Sequence, residues 1–355
     1  MSNAGLGKGT RFLLAGACAV VVIAGLRAAS GLIVPVLAAA FLAVISLPPL
    51  AWLRRVGVPR WAAVVALLAL VVAVLTIATL IVTRNVAMLA DNLPGYQLIL
   101  DERLERIDAW LKERNISADL SSLVDEARPG NLIGYATSGL SALAGLAKDG
   151  IFVLLTFAFL AAEAAVIPGK IRQITGRADD DLDRFEVILA DVQGYLGVKL
   201  QTNLLTGALV TISCWMLATP YALLLGLLAF LMNFIPTFGA IIAAVPAVLL
   251  CLAMNDWAWA LGMVAAQVVI NVAIGNVLEP RLFGRRLGLS AAVVFLSLVF
   301  WGWVLGPIGM LLSVPLTMVV KILLDNSEDL RWMAVLLGPG TTGATPPRAS
   351  ADASR

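Results

Sequence analysis

Residues 221–256 read YALLLGLLAFLMNFIPTFGAIIAAVPAVLLCLAMND, an apolar stretch that Asn233, Pro236 and Gly239 interrupt near its middle. One helix crosses a hydrocarbon core in about 20 residues, so the stretch is too long for a single span. Pro236 also removes a backbone donor and clashes with the preceding turn. Two readings meet these facts: two short helices folded back on each other with the NFIPTFG apex at membrane depth, or two short spans joined by a tight polar turn. Free N–H and C=O groups survive at that depth only where protein buries them or a wet cavity receives them. Transporters place solutes at broken helices of this kind. The folded-back reading makes Asn233, Pro236, Thr237 and Gly239 candidate solute-site residues. Local capping of the freed helix ends is the other account of Asn233 and Thr237.

Composition sets the class around that stretch. Of 355 residues, 60% are hydrophobic and 14% charged, with a mean hydropathy of +0.93. Soluble domains run about 45–50% apolar and about 25% charged, so an all-α polytopic membrane protein with the lipid bilayer as its medium is expected. A net charge of +2 without a dense basic cluster argues against nucleic acid as a partner. The chain has no His, the commonest general base and metal ligand. It also shows no Walker A loop, zinc motif or nucleophile–base spacing, so no enzyme activity, metal or cofactor is expected. Cys18, Cys214 and Cys251 lie in apolar runs without C-x-x-C spacing and read as packing residues. Lys8 and Arg11 before the apolar run 12–26 also fit a secretory signal, but a second apolar segment follows at once, and a retained span is expected.

Working outward, residues 12–29, 31–53 and 61–82 read as three spans of an N-terminal unit, 1–84. Arg27 alone in the first link, against Arg54, Arg55 and Arg60 in the second, puts the N-terminus on the cytoplasmic side. Residues 85–149 form an extracytoplasmic segment, in which Leu100, Leu104, Ile107 and Leu111 predict an amphipathic helix over 94–114. That helix is either a solvated cover on the membrane face or a partner surface. Residues 150–199 hold a fourth span, 150–166, and a cytoplasmic interfacial helix over 179–199 that feeds a span at 200–219. Residues 200–337 form a transport unit, and 338–355 a Gly-, Pro- and Ser-rich tail expected to be disordered and cytoplasmic. The total is about six full spans plus two Pro/Gly-broken hairpins.

The second broken stretch is 287–324, cut at Gly302, Gly306, Pro307 and Gly309. Pro236-Thr-Phe-Gly239 running on to Pro246 is echoed by Gly306-Pro-Ile-Gly309 running on to Pro315, with entry from opposite faces as an inverted repeat requires. The two breaks are expected to converge on one solute site, with Gly306, Pro307 and Gly309 shaping it. Asn271, Asn276 and Glu279 sit at the end of the penultimate membrane unit. A carboxylate beside hydrocarbon is a functional candidate, able to take up a proton or cation, or to pair with Arg281, Arg285 or Arg286. Glu163 is a second acid at a span end, and Gln201 and Asn203 are candidates for an inner vestibule. Trp257, Trp259, Trp301 and Trp303 fit aromatic anchoring at the interface.

With these residues in view, the chain resembles the autoinducer-2 exporter family of bacterial permeases. The likeness rests on GLLAFLMNFIPTFG over 226–239 with Pro246, on Asn276-Val-Leu-Glu-Pro280 with Gly284, and on Trp301-Gly302 through Gly306, Gly309 and Pro315. Gly194-Tyr195 and Leu205-Thr206-Gly207 are also similar. Ser290-Ala291 departs from it, because a Pro is expected soon after Gly288-Leu289. The resemblance implies a multi-pass inner-membrane permease, homo-oligomeric with a pentamer as the expected assembly, whose transport unit moves against a scaffold. It further implies export of a small polar solute such as the quorum-sensing furanone autoinducer-2, or Na+(Li+)/H+ antiport. Cargo does not follow from membership. A non-transporting membrane scaffold, acting through residues 85–149, is the reading from another class.

Overall fold

The computed structural model describes residues 8–113, 150–163, 179–236, 238–283, 289–325 and 331–338. The described chain is helical, with no strand among those residues: α1 (Lys8–Ala28), α2 (Ser30–Arg55), α3 (Arg60–Glu113), α4 (Gly150–Glu163), α5 (Asp179–Met216), α6 (Ala222–Met232), α7 (Phe238–Met254), α8 (Trp257–Asn271), a π-helical segment (Val272–Leu278), α9 (Glu279–Phe283), α10 (Ala291–Leu311), α11 (Ser313–Asp325) and α12 (Arg331–Leu337). Among the described residues, four stretches are long and apolar enough, by length and composition, to cross a membrane: Ser30–Arg55, Arg60–Asn92, Trp257–Phe283 and Ala291–Leu311, the last of them interrupted at Gly306. α4, α6 and α7 are shorter apolar helices. The chain is therefore an all-α, multi-pass membrane protein, as its composition requires. The remainder of residues 85–149 past Glu113 and the tail beyond Gly338 lie outside the described residues.

Two expected helix boundaries do not exist. The third span and the amphipathic stretch are one helix, α3, of 54 residues, which makes it roughly 80 Å long at 1.5 Å per residue. Its far part is largely exposed but is tied to the fold along one edge. Leu100 packs with Leu252, Ala253 and Ala260, the Tyr96 and Tyr221 hydroxyls lie 3.4 Å apart, and Arg103 pairs with Asp256 at 3.7 Å. Likewise the interfacial helix and the fifth span form one helix, α5, of 38 residues. In both cases amphipathic spacing and apolar spacing share one period, so nothing stops the helix where its polarity changes.

Three cores hold these helices. Ala39, Ala43, Ala63, Leu67, Val153 and Phe157 join α2, α3 and α4. Val210, Cys214, Leu225, Ala247, Cys251 and Met263 join α5 to α8, so Cys214 and Cys251 are buried packing groups, both free thiols. Phe41, Tyr195, Leu196, Phe283, Val314 and Met318 tie α2, α5, α9 and α11 together.

Both Pro/Gly interruptions are true reversals, and both use the same device. α6 ends at Asn233, and α7 begins at Phe238. A β-carbon on Gly239 would fall on the Met232 carbonyl oxygen of the opposing arm. In the second, Gly306 has φ 72 and ψ −154 inside an otherwise helical run, a conformation open to glycine at little cost. A β-carbon on Gly309 would fall on the Trp301 carbonyl oxygen, and Trp301 Nε1 donates to Thr317 Oγ1 at 3.0 Å across the arms. Trp301 is thus a tie inside the hairpin. Trp257, Trp259 and Trp303 are exposed as anchors should be, with the Arg27 guanidinium 4.4 Å from the Trp303 ring centroid.

Gly239→Ala and Gly309→Ala should each destabilise by about 1–3 kcal/mol, the usual cost of overpacking. Gly262→Ala, whose new carbon would sit 3.5 Å from Leu217 Cδ2, should stay within about 0.5 kcal/mol. Thermal unfolding of the purified variants checks both.

Candidate functional site

α5 presents Lys199, Thr202, Asn203 and Thr206 at i, i+3, i+4 and i+7, which places four polar side chains on one helix face. All four are buried, Thr202 and Asn203 completely. Gln201, on the other side, is exposed. α6 turns back on α5 in the most extensive helix–helix contact of the described chain. That path carries the C-terminal end of α6 to the polar face of α5. There Asn233 Nδ2 donates to Asn203 Oδ1 at 2.7 Å and reaches Thr206 Oγ1 at 3.5 Å.

The break then exposes a carbonyl. Pro236 and the turn around it end the α6 hydrogen-bond ladder, and the Asn233 carbonyl accepts instead from Lys199 Nζ at 3.1 Å. The same ammonium pairs with Glu279 Oε1 at 2.7 Å, with side chains only 8% and 15% exposed. Thr202 Oγ1 donates to that carboxylate oxygen at 3.1 Å. Glu279 arrives through the π segment, where its own N–H donates to the Ile274 carbonyl, five residues back. Such π segments are rare and recur at functional sites. Here the wider turn re-phases the helix so that Glu279 meets α5.

Glu279 therefore pairs across the fold with Lys199, eighty positions away in the chain, and not with the arginine next to it: Arg281 is exposed. Arg285 and Arg286 lie outside the described residues. The reason is cost. A carboxylate beside hydrocarbon needs a partner at contact distance, and Lys199 also satisfies a backbone carbonyl.

Of the other candidates, Pro236 and Gly239 form the turn that delivers Asn233, while Thr237 lies outside the described residues. Asn276 is exposed on the π segment, and no hydrogen bond ties it to the cluster. Asn271 donates to the Gln267 carbonyl within α8. Glu163 is the last residue of α4. Gly306, Pro307 and Gly309 shape the second break, whose arms Trp301 and Thr317 join; its second arm, α11, packs on α5 through Val314 and Met318 beside Tyr195 and Leu196. Phe295 of α10 lies 6.0 Å from Phe238 at the first break. The structure assembles Asn233 and Glu279 around α5.

Counted from the Met216–Ala222 turn, Asn233 and Lys199 lie roughly 17 and 26 Å along α6 and α5. One helical turn beyond Lys199 opens a small cleft of about 80 Å³, lined by Asp191, Gly194, Tyr195, Val198, Leu282, Phe283 and Met318. Tyr195 stacks on Phe283 with ring centroids 5.4 Å apart, forming the wall between cleft and cluster. Inside, Asn203 Nδ2 is buried without an acceptor among the described residues, a group that costs free energy until something polar meets it.

Lys199, Thr202 and Thr206 are the site residues the sequence reading missed. Their i, i+3, i+7 placement on an otherwise apolar helix was the available signal.

A broken helix with a buried ion pair beside it, in a chain this apolar, is an arrangement that transporters use. Residues 17–329 match the model of the AI-2E family transporters, and the chain belongs to that family. It is 35% identical to the AI-2 transport protein TqsA of Escherichia coli over 90% of this chain and 92% of that one. A relative from Haemophilus influenzae is 34% identical over 92% of this chain and 96% of its own. YhhT of E. coli is 33% identical over 94% and 95%.

Lys199→Met and Glu279→Gln should each cost about 3–5 kcal/mol, as breaking a buried pair does, and the double variant should recover much of that loss. Unfolding of the four proteins in choline chloride measures the coupling.

Proposed function

We propose that this chain is a permease that moves a small polar organic solute through the first break, with Asn203, Thr206 and Asn233 contacting the solute and Pro236 and Gly239 shaping its seat. The observation that carries this reading is the fully buried Asn203 amide without an acceptor, set beside a helix break in a chain that is otherwise apolar. A hydroxylated solute supplies the missing oxygen. The cleft at Tyr195 and Phe283 is the vestibule; at about 80 Å³ it is well below the roughly 300–1,000 Å³ usual for ligand sites and serves as an entry rather than a seat. The arginine bias of the first two links supports a cytoplasmic N-terminus, which puts the vestibule on the cytoplasmic side and favours export from the inner membrane. The name of the E. coli relative, AI-2 transport protein, makes autoinducer-2 the first cargo to try. Many apolar side chains of α3, such as Leu70, Val74, Ile77 and Leu80, are exposed, a face available to lipid or to further copies in a homo-oligomer.

Cation/proton antiport through Glu279 fits less well, because Lys199 already neutralises that carboxylate.

In sealed vesicles carrying purified protein, Asn203→Ala and Asn233→Ala should lower flux of labelled autoinducer-2 at least about tenfold, the effect of about 1.4 kcal/mol on a barrier. Unchanged flux in folded variants overturns the site assignment. Absence of flux for a panel of polar solutes, with the native protein folded, overturns the cargo class.

A further inference from the structure

The Lys199 ammonium is held by the kinds of group that hold a coupling cation in broken-helix transporters. In such folds, unwound carbonyls and the C-terminal ends of half-helices hold the alkali cation. Here the same kinds of ligand converge: the Asn233 carbonyl at the C-terminal end of α6, 3.1 Å from Nζ, and the Glu279 carboxylate, 2.7 Å from it. The Thr202 hydroxyl lies 3.1 Å from the same carboxylate oxygen. The Asn203 side-chain oxygen is close by, bonded to Asn233 Nδ2 at 2.7 Å. All are hard oxygens, the donors that suit alkali and alkaline-earth cations. The negative end of the α6 dipole adds to their pull on a positive charge.

We infer that Lys199 is a tethered counter-cation: its ammonium fills an alkali-cation position built from the Asn233 carbonyl and the Glu279 carboxylate, and so makes the native transporter indifferent to Na+ and Li+. The charge balance requires an occupant. With the ammonium present, the Lys199–Glu279 pair is neutral. Without it, the site keeps one buried carboxylate and an unmet carbonyl, an arrangement too costly to persist unpaired. Removing the side chain beyond its β-carbon leaves both the charge and the room for a free monovalent ion. Lys199 is thus a specificity-determining residue, and this assignment holds whatever solute the permease carries.

The test is ion binding by the whole purified protein, read as melting temperature in NaCl, LiCl or choline chloride at equal ionic strength and pH 8. The native protein should melt at the same temperature in all three salts. Lys199→Ala should melt higher in NaCl or LiCl than in choline chloride by roughly 5 °C, as a saturating ligand that binds only the folded state provides. That shift should vanish in Lys199→Ala/Glu279→Gln. Lys199→Ser, which adds an oxygen, serves as the second variant, with recovery of folded protein only in Na+ or Li+ counting in favour. No preference for Na+ or Li+ in either single variant overturns the inference, and so does a native protein that responds to them. Failure of both single variants to fold in NaCl as well as in choline chloride also overturns it, because an alkali cation has then not replaced the ammonium. None of these readouts involves solute flux, so loss of the solute assignment leaves them intact.

Discussion

Lipid supplies no hydrogen bonds, so a carbonyl released from its helix at membrane depth must find a donor within the protein. That constraint organises this fold. Pro236 ends the α6 ladder, and the Asn233 carbonyl takes its bond from Lys199. An ammonium so buried needs an anion, and Glu279 provides it. Three helices are thereby set in register by one side chain: α5, which carries the lysine, α6, which carries the carbonyl, and α8, whose π-helical continuation carries the acid. The polar cluster is the consequence of one interrupted helix and the partners it needs.

The second interruption meets the same constraint differently. At Gly306 the backbone adopts positive φ, and Trp301, Gly309 and Thr317 close the hairpin on itself. No charged group takes part in those ties. The shared close approach at Gly239 and Gly309 shows that both turns use glycine to bring arms into backbone contact. The different partners show why only the first gathers polar side chains from other helices. The long α3 adds a rigid edge, meeting the base of the first hairpin at Tyr221 and Asp256.

Much of this was legible in the chain. Apolar content fixes a membrane fold, and Pro, Gly and Asn inside long apolar runs mark breaks because each acts locally on the backbone. Asn233 and Glu279 were visible for the same reason: a polar group in such a run stands out. Lys199 was not, because it falls where an amphipathic pattern gives way to an apolar one, and there it reads as the last charge of a surface helix. The partner of Glu279 was assigned to nearby arginines because sequence shows neighbours along the chain, whereas burial selects neighbours across it. The π segment has no propensity signature, since its residues would serve equally in an α-helix. Convergence of the two breaks is an expectation from their similar motifs, and motif likeness alone carries no information on depth.

The most direct test places a reporter at the break itself. With Cys18, Cys214 and Cys251 replaced by Ser or Ala, a single Asn233→Cys can be challenged in sealed vesicles with a membrane-impermeant thiol reagent and a solute the native protein carries. A polar passage at the first break predicts that the thiol is modified from the vestibule side and that the solute slows its modification. Residual flux should then fall as the thiol is consumed. A thiol that stays unreactive from both faces, or one that reacts fully while flux continues unchanged, contradicts it.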